Sequence, residues 1–383
     1  MLSKIVVFGG SFDPIHKGHT SIIKSLSMHF DKVIIVPAFI SPFKKNHNYA
    51  ESNHRLKMIE LALKDEGLIN QNIELNTHEI DKGTISYTIE TIEFLKNKYP
   101  NSQIYFCIGT ENLPTLNQWK DFEQLNTLVK FFVISRPNLV HDIPKNINAI
   151  LSPFKGLDTS SSLIKALIAI NEHASLSNDS KLPYIFNHLT PSVLDYIQNQ
   201  NVYPLHKKIG KLMTKFDFNK KRIPHIIGTI KLAINLAVVY NIDANKASLS
   251  ALLHDIAKYA SFVHVKNEKL NIDLSNLHPV VYHAKIGEAI AKQLLKIDDI
   301  DILNSIKYHT TKRANMSALE KITALADYLE ETRDFENIDN MRQMLFIDLD
   351  KTMHLVLDDM IEKLNNKNRQ IYYLTREAYD FYK

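Results

Sequence analysis

The stretch Val7-Phe8-Gly9-Gly10-Ser11-Phe12-Asp13-Pro14-Ile15-His16-Lys17-Gly18-His19 joins an apolar strand to a glycine turn, then sets two histidines three residues apart where a helix begins. Neither Gly9 nor Gly10 carries a Cβ, so the backbone there passes close to an anion without obstruction. A helix starting near Gly18 aims its free N–H groups and the positive end of its dipole at the same place. His16 and His19 add side-chain donors toward phosphoryl oxygens. A bare His-x-Gly-His tetrapeptide reads equally well as an ordinary strand-to-helix turn with two solvated histidines; the full string is far more restrictive.

Outward from this turn, short β-branched runs alternate with amphipathic stretches as far as about Ser152. Strands are expected at Ile5 to Phe8, Val33 to Val36, Ile73 to Leu75, Ile104 to Ile108 and Phe131 to Ile134, with helices near Gly18 to His29, His54 to Lys64 and Tyr87 to Lys98. This alternation predicts an α/β fold, a Rossmann-like and mainly parallel sheet built by right-handed crossovers, with ligands beyond the carboxyl ends of its strands. After Ser160 strands largely disappear. Ile223 to Tyr240, Lys246 to Lys258, Ala284 to Leu295, Ile300 to His309, Leu319 to Leu329 and Asn340 to Leu364 all read as helices, so an all-α domain is expected to follow. The basic, mixed segment Tyr203 to Lys221 reads as the connection, giving expected domains 1–204 and 205–383.

At 383 residues the chain exceeds the usual single-domain size. Its formal charge of +4 comes from lysines scattered among acids, which makes no case for nucleic acid or a membrane as partner. The single cysteine, Cys107, excludes an intramolecular disulfide and argues against a thiol-ligated zinc site. No leader-like start and no uninterrupted apolar run near twenty residues is seen, so a soluble cytoplasmic protein is expected. Oligomeric state stays open.

Further along, Thr159-Ser160-Ser161-Ser162-Leu163-Ile164-Lys165 opens a helix with small hydroxyl residues and a cation one turn in. That arrangement suits phosphate, and it equally suits a plain serine N-cap. Together with the opening string, it resembles the nucleotidylyltransferase superfamily, and the form GGSFDPIHxGH resembles bacterial nicotinate-nucleotide adenylyltransferases. Ser41-Pro42-Phe43-Lys44 followed by His54-Arg55-Leu56, Ser86-Tyr87-Thr88-Ile89-Glu90-Thr91, Gly109-Thr110-Glu111-Asn112-Leu113 with Trp119, and Ser135-Arg136-Pro137 resemble further elements of that family. The resemblance implies that Gly9, Gly10, Ser11, Phe12, Ser160, Ser161 and Lys165 hold ATP, while His16, His19 and Lys44 act on the reacting phosphates. It also places Thr88, Gly109, Glu111, Trp119 and Arg136 on the acceptor side. Trp119 then offers a flat surface to a pyridine ring; its alternative is a partly buried packing role. The chain departs from the family pattern at Thr159, Ser162, Lys165 and Glu111, where isoleucine, threonine, arginine and aspartate are usual. Lysine at 165 keeps the charge and loses the bidentate fork. The implied reaction is attack of nicotinate mononucleotide on the α-phosphorus of ATP with Mg²⁺ on the triphosphate; a different acceptor, such as phosphopantetheine, is the alternative.

The second half carries a scattered set: His225, His254-Asp255, His283, His309 and Asp327. One His-Asp pair is expected by chance among 17 histidines, and His141-Asp142 in a proline-flanked loop illustrates it. His254-Asp255 differs because it lies in the apolar run Ala251 to Lys258, where a charged dyad is costly to bury without a counter-ion. Four imidazoles and two carboxylates suit two divalent first-row metals bridged by Asp255. His278 competes for the third histidine position. The region from about His206 resembles the HD-domain metal-dependent phosphohydrolases. Within them, His254-Asp255-Ile256-Ala257-Lys258, Tyr308-His309-Thr310-Thr311 and Ala326-Asp327-Tyr328-Leu329-Glu330 with Arg333 resemble the bacterial symmetrical diadenosine tetraphosphatases. The resemblance implies a dinuclear centre, of iron or manganese, that cleaves diadenosine tetraphosphate to two ADP. It also implies metal ligation by those six residues, His283 being preferred because His-Ala-Lys-Ile-Gly matches the family's helix start, and a phosphate contact from Lys258. A nucleotide-binding regulatory module without turnover is the rival reading.

Overall fold

The computed structural model describes residues 2–42, 49–135, 143–176, 184–275 and 277–383, so Lys44, Arg136 and the His141-Asp142 pair lie outside the described residues. The chain divides into two compact units, Met1–Ile164 with Pro183–Tyr203, and Lys165–Leu182 with Pro204–Lys383.

The first unit is built on six parallel strands, β1 (Ser3–Gly10), β2 (Lys32–Pro37), β3 (Ile73–Leu75), β4 (Ser102–Gly109), β5 (Lys130–Ser135) and β6 (Ala149–Lys155). Their order is β3-β2-β1-β4-β5-β6. Crossover helices Lys17–Ser27, Ser52–Asp65, Thr88–Lys98 and Phe122–Leu128 connect β1 through β5. From β1 the chain winds outward to β3, then jumps back to β4 on the other side of β1, so the winding reverses between β1 and β4. Ligand crevices open at such a reversal. Phe8 pairs with Cys107 and Gly10 with Pro37, so Gly9-Gly10 and Gly109 emerge at the same carboxyl edge. Ile5, Val7, Ile34, Val36, Ile104, Phe106, Phe131 and Val133 face one core with Ile89, Ile92, Leu95, Leu116 and Leu125. Val6, Val33, Ile35 and Phe132 are buried as well, which explains why these strands read as near-continuous apolar runs. The pattern did not announce β6. It is an edge strand carrying Pro153 and a register shift against Val133 and Ser135, and proline is tolerated only at such an edge.

The second unit is helical. Its central Ile223–Val239 helix is apolar almost all round and packs against Ala244–Leu253 and Ala318–Leu329. By length and hydropathy alone the Lys220–Val239 span could cross a membrane, yet 61% of its apolar window is buried within the fold, as befits a core helix. Tyr282–Ala289, Ile300–Tyr308, Leu349–Asn366 and Tyr373–Tyr382 complete the surrounding layer. The helix expected over Lys246 to Lys258 runs instead over Ala244–Leu253, and two further expectations need correction. The connecting segment contains a regular helix, Pro204–Lys215, because Ile209, Leu212 and Met213 fall on one buried stripe and Gly210 admits the backbone of Ala169 at a distance no Cβ would allow. The span from Asn340 to Leu364 is two helices, Ile338–Leu345 and Leu349–Asn366, since the Asp348 carboxylate accepts from the Asp350 and Lys351 amides and starts the second afresh.

The short strand β3 is anchored by one carboxylate. Glu74 resists ionisation through burial, but bonds from Lys98 (2.8 Å), Tyr99 (2.7 Å), Asn76 (3.3 Å) and Lys32 (3.3 Å) outweigh this and hold its pKa at about 2. A depressed carboxylate adds stability above its unfolded pKa and loses it as pH falls toward the folded value. Glu74→Gln is therefore expected to cost up to about 3 kcal/mol at pH 7, with the difference from wild type shrinking between pH 4.5 and pH 2 in urea titrations.

Candidate active sites

At the carboxyl edge of the first unit, β1 ends in Gly9-Gly10 and the Lys17–Ser27 helix begins. Adding a Cβ at Gly9 would press on the Phe106 ring at 3.2 Å, and at Gly10 on Phe12 at 3.2 Å, so the turn has no room for larger residues. Phe12 itself takes a left-handed φ of 47°. His16 is the N-cap and is buried. Its backbone N–H donates to His19 Nδ1 at 3.3 Å, which puts the His19 proton on Nε2. The two rings stack with centroids 3.7 Å apart.

Three segments lock this turn. Thr159 presses on the helix start at Gly18, where a Cβ would lie 2.6 Å from its methyl group, and His188 Nδ1 meets its hydroxyl at 2.9 Å. Ser161 Oγ donates to the carbonyl of Pro14 at 3.0 Å, whereas Ser160 Oγ accepts from Leu163 N as a helix cap. Lys165, on the same helix, is counted in the second unit. The strongest brace is Arg55, 1% exposed. Its guanidinium donates to the carbonyls of Ser11 (2.8 Å), Ala38 (2.6 Å), Phe39 (3.3 Å) and Ala50 (3.1 Å). Beside it, Asp13 Oδ1 accepts from Tyr203 Oη (2.7 Å) and Ala50 N (3.1 Å). Sequence reading quoted Asp13 in the opening string and Arg55 in His54-Arg55-Leu56 without assigning either a role, and gave Tyr203 none; a cation followed by the apolar Met58, Ile59 and Ala62 of its own helix was the available signal.

Gly109 leads from β4 into Glu111, whose carboxylate folds back against the Gly109 Cα so that any side chain there would collide with it. Trp119 is half-buried, its ring edge-on to Phe106 at 6.0 Å, so it packs on the core while keeping one part accessible. Thr88 starts a helix whose N-cap is Tyr87, and the preceding Ser86 accepts at its hydroxyl from Phe39 N and donates its amide to Ile40 O, at 2.9 Å each. Of the first-domain candidates, the structure thus gathers Gly9, Gly10, Ser11, Phe12, His16, His19, Ser160, Ser161, Thr88, Gly109, Glu111 and Trp119 along the carboxyl-edge loops of one sheet.

In the second unit, five helices and the turns that follow two of them converge. The Ala244–Leu253 helix ends at His254, and tight turns from Ile256 N to Leu253 O and from Lys258 N to Asp255 O carry the chain on. This brings adjacent His254 and Asp255 to one centre. His225 comes from the Ile223–Val239 helix, His283 from Tyr282–Ala289, Asp327 from Ala318–Leu329, and His309 caps Ile300–Tyr308. His225 Nε2 lies 3.2 Å and His254 Nε2 3.6 Å from Asp327 Oδ1. Asp255 Oδ2 is 3.5 Å from His254 Nε2, and its Oδ1 is 3.4 Å from His283 Nε2 and 3.5 Å from His309 Nε2. Lys258 Nζ reaches both His283 Nε2 (3.3 Å) and Asp255 Oδ1 (3.5 Å), while Arg222 pairs with Asp255 Oδ2 and Arg333 with Asp327 Oδ1 at 3.2 Å. All six expected ligands meet. His278 instead caps a short turn, accepting from Val280 N at 3.3 Å, and stands apart from this cluster.

The donor set fits divalent cations. His254 Nδ1 donates to Ala251 O at 2.7 Å and His309 Nδ1 to Ile306 O at 2.8 Å, which fixes Nε2 as the lone-pair atom facing inward. Yet His225 Nε2, His254 Nε2 and Asp255 Oδ1 are buried with no hydrogen-bond partner among the described residues. Such groups are rarely left unmatched unless an ion completes them. The two candidate groups, His225 with His254 and Asp327, and His254 with Asp255 and His309, each keep their ligand atoms within 4.8 Å of one another. At His254 a proton and a cation compete: burial opposes charge on the ring, but Asp255 and Asp327 overcome it and lift its pKa to about 10, so a metal ion takes Nε2 by displacing its proton. Burial likewise opposes ionisation of Asp255 and Asp327, and the imidazoles beside them hold both well below the usual carboxylate range. His283, buried and next to His309 and Lys258, is driven down to about 3, and burial lowers His309 too, so both present neutral nitrogens.

A phosphate-ready turn at the winding reversal of a parallel sheet, joined to an all-helical unit with a His-Asp metal cluster, defines a nucleotidyltransferase coupled to an HD-type module. Residues 7–167 match the cytidylyltransferase-like family and residues 222–332 the HD domain family. The chain is 31% identical over 382 residues to a Mycoplasma genitalium protein named "Probable nicotinate-nucleotide adenylyltransferase/Ap4A hydrolase", covering 94% of this chain and all of that protein. A protein of the same name from Mycoplasma pneumoniae is 28% identical over 86% of this chain and 90% of its own. The nicotinate-nucleotide adenylyltransferase of Bacillus subtilis is 33% identical over 37% of this chain and 75% of its own. The chain belongs to the family of nicotinate-nucleotide adenylyltransferases joined to a C-terminal HD domain.

Two outcomes follow from this geometry. Arg55→Met strands four carbonyl acceptors and is expected to destabilise the first unit by about 3 kcal/mol or more, read from chemical denaturation. His283→Ala is expected to lower bound divalent metal measured by elemental analysis, and His278→Ala to leave it unchanged; the reverse result would reassign the ligand.

Proposed function

We propose that the chain is a bifunctional enzyme. Its first unit transfers the adenylyl group of ATP to nicotinate mononucleotide, and its second hydrolyses diadenosine tetraphosphate symmetrically to two ADP. Family membership and the carboxyl-edge loops support the first activity. The observation that carries the second is the convergence of His225, His254, Asp255, His283, His309 and Asp327, three of which hold a buried nitrogen or oxygen without a hydrogen-bond partner among the described residues.

In the first reaction an oxygen of the mononucleotide phosphate bonds to the α-phosphorus of ATP. The bond from that phosphorus to the bridging oxygen breaks, pyrophosphate leaves, and deamido-NAD forms without a covalent enzyme intermediate. Gly9, Gly10, Ser11 and Phe12 let backbone amides approach the triphosphate, with Ser160, Ser161 and Lys165 on its far phosphates. His16 holds the helix start, and His19, its proton on Nε2, donates to the phosphoryl oxygens on which charge builds. Lys44 adds a cation, Mg²⁺ offsets the triphosphate charge, and Thr88, Gly109, Glu111, Trp119 and Arg136 seat the acceptor, with Trp119 against its pyridine ring.

In the second reaction water adds to a central phosphorus, the bridging P–O bond breaks, and ADP leaves as the water's protons pass to product and solvent. Two divalent ions, iron or manganese, held by the six ligands supply Lewis acidity and water activation when bound. Asp255 is placed to serve both metal groups, His283 and His309 offer neutral nitrogens, and Lys258 stands where it can hold a phosphate oxygen. Both activities use soluble nucleotides, and the buried free thiol of Cys107 suits a reducing cytoplasm.

His19→Ala is expected to lower adenylyl transfer at least about 10²-fold, assayed with ATP and nicotinate mononucleotide, with diadenosine tetraphosphate hydrolysis intact. Asp255→Asn should do the opposite in the presence of Mn²⁺ or Fe²⁺. A His19→Ala protein with near-normal transfer sinks the first reading; an Asp255→Asn protein that still releases ADP sinks the second.

A further inference from the structure

His225 differs from the other histidines of the cluster in what holds its outer nitrogen. His254 and His309 lean on backbone carbonyls three residues earlier in their own helices. His225 Nδ1 instead meets the carboxylate of Glu330 at 3.0 Å, across 105 positions of sequence. Glu330 is 0% exposed. Burial resists its ionisation, but His225, the Thr332 hydroxyl and the Thr332 amide keep its pKa below the ordinary value. Thr332 N donates to Oε2 at 2.6 Å and Thr332 Oγ1 to Oε1 at 2.6 Å, so each carboxylate oxygen has a fixed task. The helix that carries His225 makes room for this group. Gly228 lies three residues on, hence on the same face, and a Cβ there would collide with Glu330 Oε2. A glycine inside a buried helix, otherwise a poor choice, is explained by the carboxylate it accommodates.

We propose that Glu330 is a positioning residue that fixes the His225 tautomer and so sets the divalent-metal affinity of the His225, His254 and Asp327 group, apart from that of the group around His309. The proposal rests on the metal reading above. A carboxylate that accepts from Nδ1–H presents Nε2 as a lone pair next to Asp327 and raises its basicity. In the other group, His309 has a peptide carbonyl on its outer nitrogen instead of a carboxylate. The two metal positions therefore differ in strength by design of the fold.

Glu330→Gln separates this role from mere packing, because it keeps the size and shape of the side chain. The Thr332 amide is a fixed donor and requires an oxygen at the Oε2 position, which turns the new NH₂ toward His225 Nδ1. That amide donates where the carboxylate accepted, so the His225 proton moves to Nε2 and blocks the ligand atom. Imidazole ¹⁵N spectra report the tautomer directly, without metal. Calorimetric titration of metal-stripped protein with Mn²⁺ reports the affinity, with thermal melts and circular dichroism as fold controls. Expected results are a reversed His225 tautomer, an about 10–100-fold loss at one Mn²⁺ position with the other unchanged, and no further loss on adding Glu330→Gln to His225→Ala. Gly228→Ala, which retains the carboxylate but displaces it, should weaken the same position and carries the test if Glu330→Gln does not fold. A Glu330→Gln protein with the wild-type tautomer and affinity overturns the proposal. Wild-type protein that takes up no Mn²⁺ overturns the metal reading instead, and the tautomer comparison then decides the role of Glu330 alone.

Discussion

A carboxylate taken out of water must be matched, and the helical unit is organised round that requirement. Asp255 has 1% of its side chain exposed, a situation that costs several kcal/mol when nothing compensates. Positive charge reaches it from His254 next to it in sequence and from Arg222 and Lys258 at the margins, while His283 and His309 from two further helices turn their Nε2 atoms toward its Oδ1. Satisfying one buried acid therefore forces helices far apart in sequence into contact. The same interactions that satisfy the acid thus bring the cluster together on helices and helix ends of the unit.

The first unit meets a comparable burden with the opposite charge and a different solution. Arg55 is as buried as Asp255, and burial lowers its pKa while Asp13 pulls the other way. Its partners are chiefly backbone carbonyls of the β1 and β2 end loops, not a counter-ion. One planar donor set thereby holds two loops together at the carboxyl edge of the sheet. That cation is spent on geometry, whereas the His-Asp cluster keeps inward atoms with no hydrogen-bond partner among the described residues.

Much of this was legible beforehand. Alternating apolar runs foretold β1 to β5 and three of their four crossover helices, Phe122–Leu128 being missed, and the glycine turn marked a carboxyl edge, because both features are local consequences of residue type. What escaped was settled by distant contacts. The edge strand β6 has too little regular alternation to stand out, and Pro204–Lys215 hides its buried stripe among lysines. Glu330 is the plainest case. In the string Ala326-Asp327-Tyr328-Leu329-Glu330 it reads as an ordinary helix-end acid, and only the packing of its helix against Ile223–Val239 turns it toward His225.

Sequence alone determined the two-part architecture, the glycine turn and the identities of six metal-type side chains, since residue type, spacing and hydrophobic period are written along the chain. Tertiary structure decided which of them meet: that His283 and not His278 joins the cluster, that Arg55 reaches the loops of two strands, and that Gly228 makes space for Glu330. The reason is geometric. Spacing along a chain fixes the direction of a side chain only within its own helix or strand, while distances of 3 to 4 Å between elements depend on how whole faces pack.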